Sequence, residues 1–254
     1  MDIDFGKTAK DYGQYRAGFP DEFFRRVSAF GVGIAGQRVL DLGTGTGTLA
    51  RGFALRGCHA TGVDRSDALV AEAQRLDREA GVTVRYVIAT AEATGLPDAS
   101  FEVVTAGQCW HWFDRPRAAA EARRVLVPQG RLVIAHFDWL PLPGNVVEAT
   151  EHLIEQHNPQ WHLGGGLGMY PQWMPDVGAA GFRDIETFSF DLDVPYTHEG
   201  WRGRIRASAG VAASLSPEQV VRFDAALHAL LYERFPHEPL DVPHRVFAVI
   251  ARKR

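Results

Sequence analysis

The sequence predicts an α/β protein with a doubly wound, mostly parallel sheet, on three observations. Apolar runs of strand length alternate with amphipathic stretches of helix length. The first such run, "RVLDL", ends beside a bare turn holding Gly43, Gly45 and Gly47, after which helix formers resume. No internal repeat or low-complexity tract breaks the alternation.

Taken in order, strands are expected over Arg38–Leu42, His59–Val63, Thr83–Ile88, Phe101–Ala106 and Arg131–Phe137. Helices are expected between them near Thr46–Arg56, Ser66–Ala80 and Arg115–Leu126, the last closed by the Pro and Gly of "VPQG". Strands over Phe182–Leu192 and Arg245–Ala251 complete a seven-stranded sheet in a single domain, 1–254, with its core near 36–137. Three pieces fall outside the alternation: 1–35, 138–180 and 193–240. The second carries "NPQWHLGGGLGMYPQWMP", and the third has helix-like stretches at Trp201–Leu215 and Pro217–Phe235. Each adjoins a strand, so together they are read as a helical lid over one edge of the sheet.

Composition narrows the class. A length of 254 residues suits one domain with a sizeable core. With 27 basic and 31 acidic residues the net charge is −4, and the only cationic block is the tail Arg252, Lys253, Arg254, which disfavours nonspecific nucleic-acid binding. Cys58 and Cys109 have neither the number nor the spacing of a disulfide framework or a zinc site. The charged start "MDIDFGKTAKDYG" has no long apolar core and no later run reaches the length of a membrane span, so a soluble, cytoplasmic protein is expected. His152, His157 and His162 advance in five-residue steps that spread their rings around a helix, and Pro159 interrupts it, so no metal is expected.

The glycine turn carries the chemistry. A strand end, a turn with little side chain and a helix start let backbone N–H groups approach a ligand at the carboxyl end of the sheet. A nicotinamide fingerprint G-x-G-x-x-G would place its third glycine where Thr48 stands, and Asp41 would repel a pyrophosphate. A ligand bearing an ammonium group fits this turn better.

The segments "VLDLGTGTG", "ATGVDRS", "ATAEATGLPDASFEVVTAGQCWHWF" and "EARRVLVPQGRLVIA" follow one another in an order that resembles class I S-adenosylmethionine-dependent methyltransferases. The closer likeness is to the type-11 group, which includes trans-aconitate and ubiquinone-pathway methyltransferases, and it covers residues of about 36–137. The resemblance implies a Rossmann-like methyltransferase fold with S-adenosyl-L-methionine as cofactor and S-adenosyl-L-homocysteine as product. It assigns Asp41, Gly43, Thr44, Gly45 and Gly47 to the methionine end of the cofactor. Asp64 would take both ribose hydroxyls, with Arg65 beside it among the cofactor contacts. Thr90, Ala91 and Glu92 occupy the adenine stretch; relatives often carry Asp where Thr90 stands, which shifts the contact to the Ala91 backbone or the Glu92 side chain. Tyr15 and Arg16, in "KDYGQYRAGFP", match an entry segment that closes over the cofactor.

The "Q-x-x-H-W-F" run of the resemblance brings Gln108 to the methionine portion of the cofactor, and Trp110, with Trp139 and Trp173 from the lid, to the acceptor pocket. Trp112 reads better as packing between strand and following helix. His111 is the candidate base, since imidazole takes a proton near neutral pH and an oxygen or nitrogen acceptor must lose one. The expected activity is transfer of a methyl group to an O, N or C atom of a small acceptor, an aromatic or apolar one to suit the aromatic lid. The alternatives are a cofactor-binding protein without transferase activity and an NAD-dependent oxidoreductase.

Overall fold

A computed structural model describes Gly13, Tyr15 and residues 17–254. Seven strands form one sheet: β1 (Arg38–Leu42), β2 (His59–Asp64), β3 (Arg85–Ile88), β4 (Phe101–Gly107), β5 (Leu126–Trp139), β6 (Phe182–Tyr196) and β7 (Leu240–Lys253). Their order is β3-β2-β1-β4-β5-β7-β6, and the pairs β3/β2, β2/β1, β1/β4 and β4/β5 are parallel. Val39, Leu40, Leu42, Val103 and Val104 are fully buried, as a parallel sheet covered on both faces requires. The strand order reverses between β1 and β4, which puts the turn after β1 at the switch point where open α/β sheets hold ligands.

The described helices are α1 (Asp21–Ser28), α2 (Thr48–Ala54), α3 (Asp67–Ala80), α4 (Arg115–Val125), α5 (Val146–His157), α6 (Trp173–Ala179), α7 (His198–Arg206) and α8 (Pro217–Arg234). Their starts carry the expected chemistry: the side chains of Ser66, Asp114, Asn145 and Thr197 cap α3, α4, α5 and α7, and Ser216 with Gln219 closes a capping box on α8.

Boundaries differ in three instructive places. Helix α2 begins at Thr48 rather than Thr46 because Gly47 sits at φ 78°, outside helical space. "VPQG" does not end a helix ahead of a separate strand; Leu126 already pairs with Phe101, and the residues before the Val103↔Arg131 pair form a bulge inside β5, with Gln129 at φ 67°. Helix α7 stops at Arg206 instead of continuing to Leu215, because Gly210 lies so close to Ile154 and Trp161 that the chain there packs as turns.

The chain divides into two compact units. One unit comprises 18–137, 170–190 and 246–254; the other comprises 1–17, 138–169 and 191–245. Residues 18–35 and 170–180 therefore go with the first unit. Phe19 lies 6.0 Å from Phe137, Phe24 packs edge-on 5.2 Å from Phe53, and Trp173 and Val177 enter the same core as Leu40 and Ile134. In the second unit Ile154, Trp161, Trp201 and Phe223 share a separate core.

Candidate functional site

The turn after β1 is built by its backbone. Thr44 N–H donates to the Val63 carbonyl at 2.9 Å, and Gly47 N–H donates to the Thr44 carbonyl at 2.9 Å, curling the chain into the start of α2. Gly43 is at φ 59°, and a methyl group there would run into Phe113 and Cys109. Gly45, at φ 54°, faces open space, so its backbone lies bare for a ligand. Gly45 N–H donates to Asp64 Oδ2 at 2.8 Å, while Ser66 N–H donates to Asp64 Oδ1 at 2.9 Å. Each oxygen of that fixed carboxylate keeps a further lone pair, which is what a vicinal diol needs.

Asp41 is buried, and its Oδ1 accepts a hydrogen bond from the Thr105 hydroxyl at 2.7 Å. Burial pushes its carboxyl up to about 6, the negative charge of Asp64 adding to the effect and the Thr105 hydrogen bond opposing it. A buried carboxylate raised in this way attracts a cation such as an ammonium group.

Past β2, Arg65 is exposed. Thr90 is exposed and bridges Ala93, and Ala91 is buried in the core. Glu92 has a structural partner: its Oε1 accepts from Asp114 N–H at 3.0 Å, tying the loop to the start of α4. Thr94 anchors the same loop through its N–H and hydroxyl, both donated to Glu121 Oε1 at 2.8 and 2.6 Å.

At the end of β4, Gln108 takes φ 62°, and its N–H donates to the Ala135 carbonyl at 2.8 Å. A 3-10 turn over Trp110–Trp112 follows. There the burial of the two tryptophans is the reverse of the expected one. Trp110 is wholly buried and meets Phe113 edge-on at 6.0 Å, whereas Trp112 is 43% exposed. A 3-10 turn rotates successive side chains by about 120°, so with Trp110 turned into the core, His111 and Trp112 point elsewhere. His111 is exposed, 4.4 Å between ring centres from Trp112 and 5.2 Å from His136. Trp173 is buried beside His136 rather than exposed to a ligand.

The second unit holds Trp139 and Tyr15. Trp139 Nε1 donates to Glu151 Oε1 at 2.7 Å, and the Arg204 guanidinium lies 4.5 Å over its ring. Burial raises the Glu151 carboxyl. Tyr15 rests on Gly203 of α7, where any side chain would collide with its ring. Arg16 lies outside the described residues. Reading the sequence missed Thr105, Thr94 and His136, whose partners are remote in the chain and carry no motif. Among the described residues no group of three or more His, Cys, Asp or Glu side chains is placed to hold a metal ion.

The family described as "Methyltransferase domain" matches residues 40–134. A ubiquinone/menaquinone biosynthesis C-methyltransferase, UbiE, from Dinoroseobacter shibae is 30% identical over 187 residues, covering 66% of this chain and 75% of that protein. An uncharacterized methyltransferase of Mycobacterium bovis is 36% identical over 132 residues, 52% of this chain and 51% of the relative, so the chain spans about half the length of that relative. The YcgJ protein of Bacillus subtilis has a similar fold, with a TM-score of 0.60 at 21% identity over 92% of this chain and 99% of that one. The chain belongs to the class I S-adenosylmethionine-dependent methyltransferases, in the type-11 group.

Proposed function

We propose that the chain is a methyltransferase that moves the methyl group of S-adenosylmethionine to a small-molecule acceptor. The observation that carries this reading is the pairing of the bare Gly45 turn with the Asp64 carboxylate at the sheet's switch point, inside the matched family. Gly45 and Asp41 would hold the methionine end, the buried carboxylate meeting its ammonium. Asp64 would accept from the ribose hydroxyls, Gln108 would reach the methionine portion, and Thr90 with Ala91 would border the adenine. When bound, the cofactor supplies a methyl group already activated on a sulfonium, whose carbon–sulfur electron pair remains on sulfur as the methyl leaves.

The chain's own contribution is alignment and exclusion of water. His111 takes the acceptor's hydroxyl proton on its lone-pair nitrogen, while the oxygen electron pair forms the new bond to carbon. Exposed Trp112 beside it favours a flat, aromatic acceptor by stacking. No helix of the described residues is long and apolar enough to cross a membrane.

The test is incubation with S-adenosylmethionine carrying a labelled methyl group and a panel of small metabolites rich in phenols, read by mass shift. One added methyl on a small acceptor is the expected result. Tight S-adenosylhomocysteine binding with no label passed to any acceptor would favour a cofactor-binding protein without transferase activity.

A further inference from the structure

We propose that Arg51 is a positioning residue for cofactor binding: its guanidinium, held in turn by Asp77, fixes the Thr46 carbonyl behind the glycine turn and so presents the Gly45 backbone to the ligand in one conformation. The inference rests on the reading of that turn as the cofactor's, and it adds a residue that acts through the turn rather than on the ligand.

The turn has an open side and a packed side. A methyl group added at Gly45 meets nothing, whereas one at Gly47 would collide with the Tyr86 hydroxyl and come within 3.1 Å of Arg51 Nη2 and 3.2 Å of the Ala73 side chain. On that packed side Arg51 Nη2 donates to the Thr46 carbonyl at 2.7 Å and to the Ala73 carbonyl at 3.3 Å. Arg51 Nε lies 2.9 Å from Asp77 Oδ1, and the other oxygen of the same carboxylate, Oδ2, accepts from the Tyr86 hydroxyl at 2.8 Å. Arg51 belongs to α2, Ala73 and Asp77 to α3, and Tyr86 to β3. One guanidinium thus ties the peptide ahead of α2 to two further elements.

The turn needs such a hold. Gly43, Gly45 and Gly47 all take positive φ, and glycine has more backbone freedom to lose than any other residue. Gly47 N–H donates to the Thr44 carbonyl, so the peptide joining Thr46 to Gly47 is held at its nitrogen by Thr44 and at its oxygen by Arg51. With that plane fixed, Gly45, the next residue back, keeps the orientation in which its N–H reaches Asp64. A ligand then binds without having to order the turn.

Simple support between two helices would not call for these groups. The Arg51 and Asp77 side chains are 15% and 6% exposed, and a buried ion pair gains little over well-packed apolar side chains of the same volume. Burial raises the Asp77 carboxyl, opposed by the Tyr86 hydrogen bond and the Arg51 charge. Burial and the bond to Asp77 also raise the Tyr86 hydroxyl, which keeps it a donor. What an apolar pair could not do is bond the Thr46 carbonyl.

The experiment is titration calorimetry with S-adenosylhomocysteine, together with the backbone amide spectrum of the full chain without ligand. Wild type, Arg51→Met, Arg51→Lys and Val249→Ala are compared. Met keeps the apolar stem, Lys restores a single charged donor, and Val249→Ala removes core volume from β7, three strands from β1 in the sheet. Arg51→Met should raise Kd by about fivefold or more and displace or broaden the Gly45 and Gly47 amide signals, with partial recovery of both in Arg51→Lys. Val249→Ala should lower Tm while leaving Kd and the glycine signals as in the wild type, which separates positioning from a general loss of stability.

Binding by the wild type, with a Kd within about twofold of it in Arg51→Met and superimposable glycine signals, overturns this inference alone. A wild type that binds no S-adenosylhomocysteine overturns the cofactor reading and this inference with it. If Arg51→Met does not fold, Asp77→Asn takes its place, since it keeps the side chain's shape, removes the charge that holds the guanidinium, and is judged by the same two readouts.

Discussion

Gly45 N–H donates to Asp64 Oδ2 across 2.8 Å, which fastens the glycine turn after β1 to the end of β2. One carboxylate thus shapes the turn and, in the function proposed above, would also accept from the ligand's ribose hydroxyls. Asp64→Ala should weaken S-adenosylhomocysteine binding by about 1–3 kcal/mol, because it removes the acceptor for the ribose hydroxyls and releases the turn. It should also lower Tm, since Gly45 N–H and Ser66 N–H both lose their partner. Titration calorimetry giving an unchanged Kd in the folded variant would end this assignment.

Asp41 predicts opposite signs for stability and binding. Its folded value of about 6 lies above the ordinary 3.8, so the folded state holds the proton more tightly. Its stabilising contribution is therefore full below pH 3.8 and lost as pH rises through about 6. Asp41→Asn should stabilise the protein without ligand at neutral pH by an amount on the order of 3 kcal/mol or less, while weakening S-adenosylhomocysteine binding through loss of the charge facing the ammonium. Thermal melts at several pH values check the first half. A difference from wild type that does not grow between acid and neutral pH would contradict it.

Gly45→Ala separates the fold from the site. At φ 54° with no neighbouring atom in the way, the added methyl costs about 1–2 kcal/mol of backbone strain and projects into the space above the turn. Binding should therefore fall by roughly tenfold or more, with only a modest change in Tm. Equal losses of stability and of binding free energy would mean that the turn is strained throughout and is not a cradle.

Glu92→Ala tests whether Glu92 contacts adenine or serves only to tie its loop to the start of α4. Loss of its bond from Asp114 N–H should cost about 0.5–1.5 kcal/mol of stability and leave the Kd for S-adenosylhomocysteine near that of wild type. A large rise in Kd would return Glu92 to the cofactor.

His111→Ala should lower kcat by about 10²-fold while cofactor affinity stays nearly intact, and should remove the limb of the rate profile that rises through the histidine range. Flat profiles in both proteins, or a defect confined to KM, would reassign His111 to pocket shape.

The sequence by itself determined the sheet, the turn and the family. Strand β1 lies where its apolar run predicts, Ser66 and Asp114 cap the helices they precede, and Asp41 and Asp64 stand at the ends of neighbouring strands. These features are local: a buried strand needs consecutive apolar residues, a cap needs one side chain next to its helix, and a ligand turn needs adjacent glycines.

The tertiary structure decided the rest. Whether Trp110 or Trp112 is buried depends on the direction in which a 3-10 turn leaves β4, and both tryptophans look alike in the sequence. The bond from Asp114 N–H to Glu92, the hydroxyl of Thr105 on Asp41 and the approach of His136 to His111 join positions on separate elements. Strand order and register set those distances, and neither leaves a periodicity to read. The division into two units follows the same logic, because Phe19, Phe24 and Trp173 join whichever core the packing brings within van der Waals reach.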